Sequence, residues 1–228
     1  MCGIIAAASN RNVGKLLVQG LHKMEYRGYD SAGIALHQDQ DIKHLRTLGK
    51  VQLLEEKMIA EKPKSKLGIA HTRWATHGEP SEINAHPHKS QDSVYIVHNG
   101  IIENYVQLRE DLKKDGYEFI SQTDSELIAH LLDFYINQGQ SMIDAMYSTK
   151  KKLEGAYAIA AIDIKDNINL VIARNKSPLL IGVGDDEIFA ASDPLAISQQ
   201  TNKFIFLEDG DVAEISANSY KIFDESKS

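Results

Sequence analysis

From Gly155 to its end, the sequence is a succession of short apolar runs: AYAIAAIDI, INLVIARN, PLLIGVG, EIFAAS, FIFLEDGDVAEIS and YKIFD, each bounded by Asp, Asn, Gly or Ser. Runs of this length, punctuated by turn formers, predict strands. They follow one another without helical periods between them, which favours antiparallel pairing over strand-helix-strand crossovers. Ahead of them stand three helical segments. IIENYVQLREDLKKDG stops at Gly116, and TDSELIAHLLDFYINQG opens on a capping box, Thr123 with Glu126, and stops at Gly139. SMIDAMYSTKKKLEG is stopped by Gly155. The expected class is therefore α+β, with helices packed on antiparallel sheets and no internal repeat.

The first hundred residues mix the two textures. CGIIAAAS is a buried strand running into the polar turn Ser9-Asn10-Arg11-Asn12. VGKLLVQGLHKMEYRG spaces Val13, Leu16, Leu17, Leu21 and Met24 at three- and four-residue intervals, an amphipathic helix stopped at Gly28. AGIALHQ and IKHLRTL form a strand pair around QDQD, KVQLLEEKMIAEK is a helix, and LGIAH and VYIVH are short strands. Those last two end at His71 and His98, beside TRWATHGEPSEINAHPHKS and Asn99-Gly100, where chemistry is expected.

Charge and cysteine content narrow the function. With 25 Lys and Arg against 32 Asp and Glu, the net charge is −7, and the longest basic run is Lys150-Lys151-Lys152. This argues against nucleic acid or an anionic membrane as partner and for a small-molecule ligand. No apolar run approaches the roughly 20 residues of a membrane span, and no export signal is legible at the N-terminus, so a cytoplasmic location is expected. The length of 228 residues suits a single domain.

The one cysteine, Cys2, becomes the first residue once Met1 is removed. Taken alone, a cysteine opening an apolar strand reads as a small buried hydrophobe. A thiol nucleophile, however, needs a base, and an exposed α-amine, with a pKa near 7.7–8.0, is roughly one-third unprotonated around pH 7.5. Cys2 would then carry its own general base. Gly3 leaves the approach to the thiol uncrowded.

MCGI, EYRGYDSAG, IAHTRWATHGEPSEINAHPH, VHNGIIEN and TDSE, in that order, resemble the glutaminase domain of the glutamine–fructose-6-phosphate amidotransferase family. These are class II glutamine amidotransferases, within the N-terminal nucleophile hydrolases. The resemblance implies a four-layer αββα sandwich with two antiparallel sheets between helices. It implies hydrolysis of glutamine to glutamate and ammonia through a Cys2 thioester. The ammonia would serve amination of fructose 6-phosphate to glucosamine 6-phosphate, a step of amino-sugar synthesis. By matched position, Cys2 is the nucleophile, and the Asn99 side-chain amide and Gly100 N–H form the oxyanion hole. Arg73 takes the glutamine carboxylate and Asp124 its ammonium. Trp74, Thr76 and His77 lie on a loop over the pocket, and Arg27, His86 and His98 are supporting positions.

Bland readings stand beside these: Asn99-Gly100 is also a hairpin signal, and Asp124 is also a first-turn acid complementing a helix dipole. His86-Pro87-His88 has a spacing that invites a metal, but with no second thiolate and no HExxH helix none is expected. No cofactor is expected either. The family's enzymes continue into a larger C-terminal half that isomerises the sugar phosphate, and they are expected to be homo-oligomers; this chain stops at KIFDESKS. Three functions stay open: a glutaminase half for this or another acceptor, a glutamine-binding regulatory module without turnover, and an interaction domain with an inert cysteine.

Overall fold

A computed structural model describes residues 2–74, 79–91, 93–166 and 168–227. The strands are β1 (Gly3–Ser9), β2 (Ser31–Gln38), β3 (Asp41–Leu48), β4 (Leu67–Arg73), β5 (His88–Ser90), β6 (Val94–Ile102), β7 (Gly155–Asp163), β8 (Leu170–Asn175), β9 (Leu180–Val183), β10 (Glu187–Ala191), β11 (Phe204–Phe206), β12 (Val212–Ile215) and β13 (Tyr220–Phe223). The α-helices are α1 (Gly14–Met24), α2 (Val51–Glu61), α3 (Tyr105–Lys114), α4 (Glu126–Asn137) and α5 (Met142–Lys150). A seven-stranded sheet runs β11-β9-β10-β1-β4-β2-β3, and a six-stranded sheet runs β13-β12-β8-β7-β6-β5. Every neighbouring pair in both sheets is antiparallel.

Three apolar layers hold this sandwich together. Ile4, Ala6, Ala8 and Ile69 of the first sheet meet Val97, Ala158, Ala160 and Ile172 of the second. The opposite face of the first sheet, with Ile5 and Ala7, packs on α1 and α2 through Leu17, Leu21 and Leu54. The outer face of the second, with Ile96, Ile159 and Val171, packs on α4 and α5 through Ile128, Leu132 and Met146. The order is helix, sheet, sheet, helix, the expected αββα sandwich. It explains why β1 reads as an unbroken apolar run: its odd and even side chains enter different cores, and both are dry.

Several expectations need correction. The segment after Asn99-Gly100 does not begin a helix. β6 continues to Ile102, because Gly100, Ile101 and Ile102 pair with Tyr157, Ala156 and Gly155 of β7, and the helix starts only at Tyr105. His71 and His98 accordingly sit inside their strands, two residues before the end of β4 and four before the end of β6. FIFLEDGDVAEIS is two strands in different sheets, β11 and β12. The Thr123–Glu126 capping box does not form. The residue before α4 is Ser125, without a side-chain cap, while Glu126 reaches back to the N–H groups of Ile120 and Ser121.

Candidate active site

β1 and β4 are antiparallel with Gly3 opposite Thr72, so the start of one lies beside the end of the other. This register brings Cys2 to Arg73 and Trp74. β6, in the facing sheet, supplies His98, Asn99 and Gly100, and the turn before α4 supplies Asp124. A small cleft is lined by Cys2, Arg73, Trp74, His98, Gly100 and Asp124, together with His86, Thr123 and Ser125. Residues spaced by up to 123 positions thus converge because the end of β4 lies beside the start of β1 and β6 runs past them in the facing sheet.

Cys2 is partly exposed. Its Sγ is 3.3 Å from the backbone N–H of Trp74, which donates to it, and 3.5 Å from the Trp74 carbonyl oxygen. Burial pushes the thiol above its ordinary pKa, partly offset by the Trp74 N–H and the Arg73 charge. The thiol is therefore protonated at neutral pH, and attack requires a base.

The Asn99 side-chain Nδ2 donates to the Cys2 backbone carbonyl at 3.2 Å. Gly100 has φ +132°, and a Cβ there would lie 1.9 Å from the Ala156 carbonyl oxygen. Only glycine fits this twisted position, where β6 runs against β7 at the cleft. An amide donor and a glycine N–H at adjacent residues beside a thiol suit an oxyanion.

Asp124 is buried, and its Oδ2 accepts from the Ile102 N–H at 2.8 Å. Ser125 Oγ lies 3.5 Å from Asp124 Oδ1 and 2.8 Å from His98 Nδ1, so His98 and Asp124 share one hydroxyl. Arg73 is buried at the end of β4, and its carbonyl accepts from the Asp30 N–H at 2.9 Å. A buried guanidinium and a buried carboxylate lining one cleft match the two charges of a free α-amino acid.

The Trp74 side chain is 55% exposed and lies across Gly28, where a Cβ would stand 1.7 Å from the indole. Arg27 is not part of the cleft lining. It donates from Nη2 to Asp193 Oδ2 at 2.5 Å, on the same oxygen that accepts the Tyr26 hydroxyl at 2.6 Å. Its support is therefore structural, tying the turn that carries Gly28 to the segment after β10. Thr76 and His77 lie outside the described residues.

His86 lines the cleft with its ring 4.1 Å from that of His71 and 4.5 Å from that of His88. Burial holds His86 and His88 well below the ordinary histidine pKa, at His88 against the pull of Glu126. Burial also lowers His98, against the pull of Asp124. Four neutral histidines are thus packed behind the thiol. Of these, His71 and His88 are not among the expected site residues, although His71 ends the LGIAH run. Among the described residues, no group of three or more His, Cys, Asp and Glu could hold a metal ion, and no helix is long and apolar enough to cross a membrane.

A family model described as a glutamine amidotransferase domain matches residues 71–199. The glutamine–fructose-6-phosphate aminotransferase (isomerizing) of Vibrio parahaemolyticus is 51% identical over 225 residues, which cover 98% of this chain and 37% of that protein. Its counterpart in Escherichia coli is 50% identical over 227 residues, 99% of this chain and 37% of that protein. The chain therefore spans little more than a third of the length of these curated relatives. Among solved structures, the glutamine phosphoribosylpyrophosphate amidotransferase of B. subtilis superposes with a TM-score of 0.85 at 24% identity, over all of this chain and 50% of that one. A glutamine aminotransferase class-II domain protein of Silicibacter pomeroyi gives 0.66 at 15% identity, over 98% of this chain and 99% of that one. These two likenesses are of fold.

Proposed function

The chain belongs to the glutamine amidotransferase domain family, and from that premise we propose that it hydrolyses the side-chain amide of glutamine to glutamate and ammonia, with Cys2 as nucleophile. The observation that carries this reading is the seating of Cys2 Sγ against the Trp74 backbone, with the Asn99 amide on the Cys2 carbonyl and buried Arg73 and Asp124 in the same cleft.

With Met1 removed, the freed α-amine takes the thiol proton as sulfur attacks the amide carbon. The carbonyl oxygen becomes an oxyanion, met by the Asn99 Nδ2–H and the Gly100 N–H. The amine, now protonated, returns its proton to the leaving nitrogen. The carbon–nitrogen bond breaks, ammonia departs and a thioester remains. Water then attacks the thioester carbon, the amine accepts its proton, and collapse of the second oxyanion releases glutamate and restores the thiol.

Arg73 pairs with the substrate carboxylate and Asp124 with its ammonium, so a free amino acid is selected over a peptide-bound glutamine. Trp74, at the rim of the cleft, covers the bound substrate, and the resemblance assigns Thr76 and His77 to substrate binding. His86 and His98 form the dry wall of the pocket, and Arg27 braces the turn beneath Trp74 through Asp193. No step needs a cofactor or metal.

The longer relatives are named for aminotransfer between glutamine and fructose 6-phosphate, and on that reading the ammonia serves amination of the sugar phosphate to glucosamine 6-phosphate. We infer the same destination here, with a sugar-phosphate isomerase domain as partner and a cytoplasmic, homo-oligomeric holoenzyme. The test is glutamate release from glutamine by protein whose intact mass shows that Met1 is gone. Cys2→Ala should abolish release while glutamine binding stays measurable by calorimetry, and Arg73→Ala should chiefly weaken binding. Full activity in Cys2→Ala would overturn the mechanism; binding without turnover in the unsubstituted protein would leave a regulatory module.

A further inference from the structure

His71 lies in β4, between Ile4 of β1 and Gly33 of β2, and is 1% exposed. Its Nε2 stands 3.1 Å from the backbone carbonyl oxygen of His98 and 2.9 Å from Asn99 Oδ1, both across the gap between the sheets. A carbonyl oxygen offers only lone pairs, so the ring nitrogen facing it carries the proton. That proton is shared, and the Asn99 atom facing the same nitrogen must also be an acceptor. The amide oxygen is therefore turned to His71, and Nδ2 is turned to Cys2, where it donates to the carbonyl at 3.2 Å. In the flipped amide the NH2 group would face an N–H, and the amide oxygen would face the Cys2 carbonyl oxygen. Both contacts would be repulsive.

The ring itself is held in one state. Nδ1 is buried with no hydrogen-bond partner among the described residues, so a proton there would be stranded. Burial, with His98 and Arg73 nearby, lowers the His71 pKa to about 3 against the opposing pull of the Asn99 bond. The ring of His86, tilted 32° and 4.1 Å away, fixes its plane.

We propose that His71 is a positioning residue for glutamine hydrolysis: its Nε2–H locks the Asn99 amide with the Nδ2 donor on the Cys2 side, where the oxyanion forms. This rests on the reading of Asn99 as an oxyanion donor. The lock acts on the transition state and leaves the carboxylate and ammonium contacts of the substrate alone. A neutral imidazole is required, since its bare Nδ1 has no acceptor to meet.

The experiment compares His71→Leu, His71→Gln, Asn99→Ala and the His71→Leu/Asn99→Ala double variant, all without Met1. Asn99→Ala should lower kcat by about 10²–10³-fold. His71→Leu should lower it by about ten- to a hundredfold, with KM for glutamine within about threefold and Cys2 alkylation by iodoacetamide unchanged. His71→Gln, whose amide N–H can replace the donor, should recover most of the loss. The double variant should match Asn99→Ala within about twofold, because a residue that works through Asn99 has nothing left to position. Wild-type kcat in His71→Leu, or losses that multiply in the double variant, would overturn the proposal while leaving Asn99 in its role. Wild-type kcat in Asn99→Ala would overturn the oxyanion reading beneath it. A readout independent of turnover is the 15N spectrum of the imidazole. His71 should show a protonated Nε2 and a bare Nδ1 from about pH 5 to about pH 8; the other tautomer, or titration in that interval, would refute the lock.

Discussion

The backbone of Trp74 brackets the sulfur of Cys2, its N–H at 3.3 Å and its carbonyl oxygen at 3.5 Å. A thiol so placed can donate to one and accept from the other, and it gains little from ionising because burial raises its pKa. Cys2 is thus stored as a thiol, and the attack proposed for it depends on a separate base. If that base is the α-amine, kcat/KM for glutamine should rise along a single limb centred in the amine's range, about 7.7–8.0, and reach a plateau below the thiol's own pKa. Protein that retains Met1 should be inactive across the same range. A limb centred above about pH 9 would show that thiol ionisation, and not an amine, gates the reaction.

Gly100 is where backbone meets backbone most tightly in the site. At φ +132°, with a would-be Cβ 1.9 Å from the Ala156 carbonyl, no other residue fits without parting β6 from β7. Gly100→Ala should cost roughly 2–4 kcal/mol from combined strain and overpacking. In a chain of this size that corresponds to a fall in melting temperature of about 5–15 °C. Activity of the remaining folded protein should fall as well, because the displaced peptide carries one of the two proposed oxyanion donors. A variant that melts within a degree or two of the parent would show that β6 relaxes freely here, and that the glycine is not demanded by the fold.

Most of the architecture was legible because burial on both faces leaves a local trace. β1 and β7 read as unbroken apolar runs, and α1 shows its stripe at helical spacing. What was illegible depends on partners far along the chain. Asn99-Gly100 carries the local signature of a turn, yet the strand runs on because Gly155, Ala156 and Tyr157 pair with it. Thr123 and Glu126 have the spacing of a capping box. In the fold, however, Thr123 bonds His88 at 3.0 Å, and Glu126 serves the preceding loop. The site residues that announce themselves are those set in distinctive motifs, Cys2, Arg73, Asn99 and Asp124. His71 sits in the same IAHTRW stretch, but its task is defined by an atom 28 positions away in the other sheet. No spacing rule reveals a contact between sheets.

Glu126 couples this loop to stability. Its side chain is 2% exposed and accepts from the Ile120 N–H at 2.9 Å, the Ser121 N–H at 2.7 Å and the Ser121 hydroxyl at 2.6 Å. His130 Nε2 stands 3.7 Å away, an electrostatic neighbour beyond hydrogen-bond reach. Burial works against the charge, but these donors and the His130 ring prevail and draw the pKa from 4.5 to about 2. A carboxylate depressed in the folded state stabilises above its unfolded pKa. The contribution is therefore complete at neutral pH, on the order of 2–3 kcal/mol, and fades as pH falls from about 4.5 toward about 2. Glu126→Gln should lower the urea midpoint at pH 7, and the gap between variant and parent should narrow on acidification to pH 3. The residues it anchors lead directly into the turn bearing Asp124, so KM for glutamine should rise more than kcat falls. A gap that stays constant between pH 7 and pH 3 would mean that the ionised form of Glu126 contributes nothing beyond its shape, and that the loop is held by Ser121 and Thr123 alone.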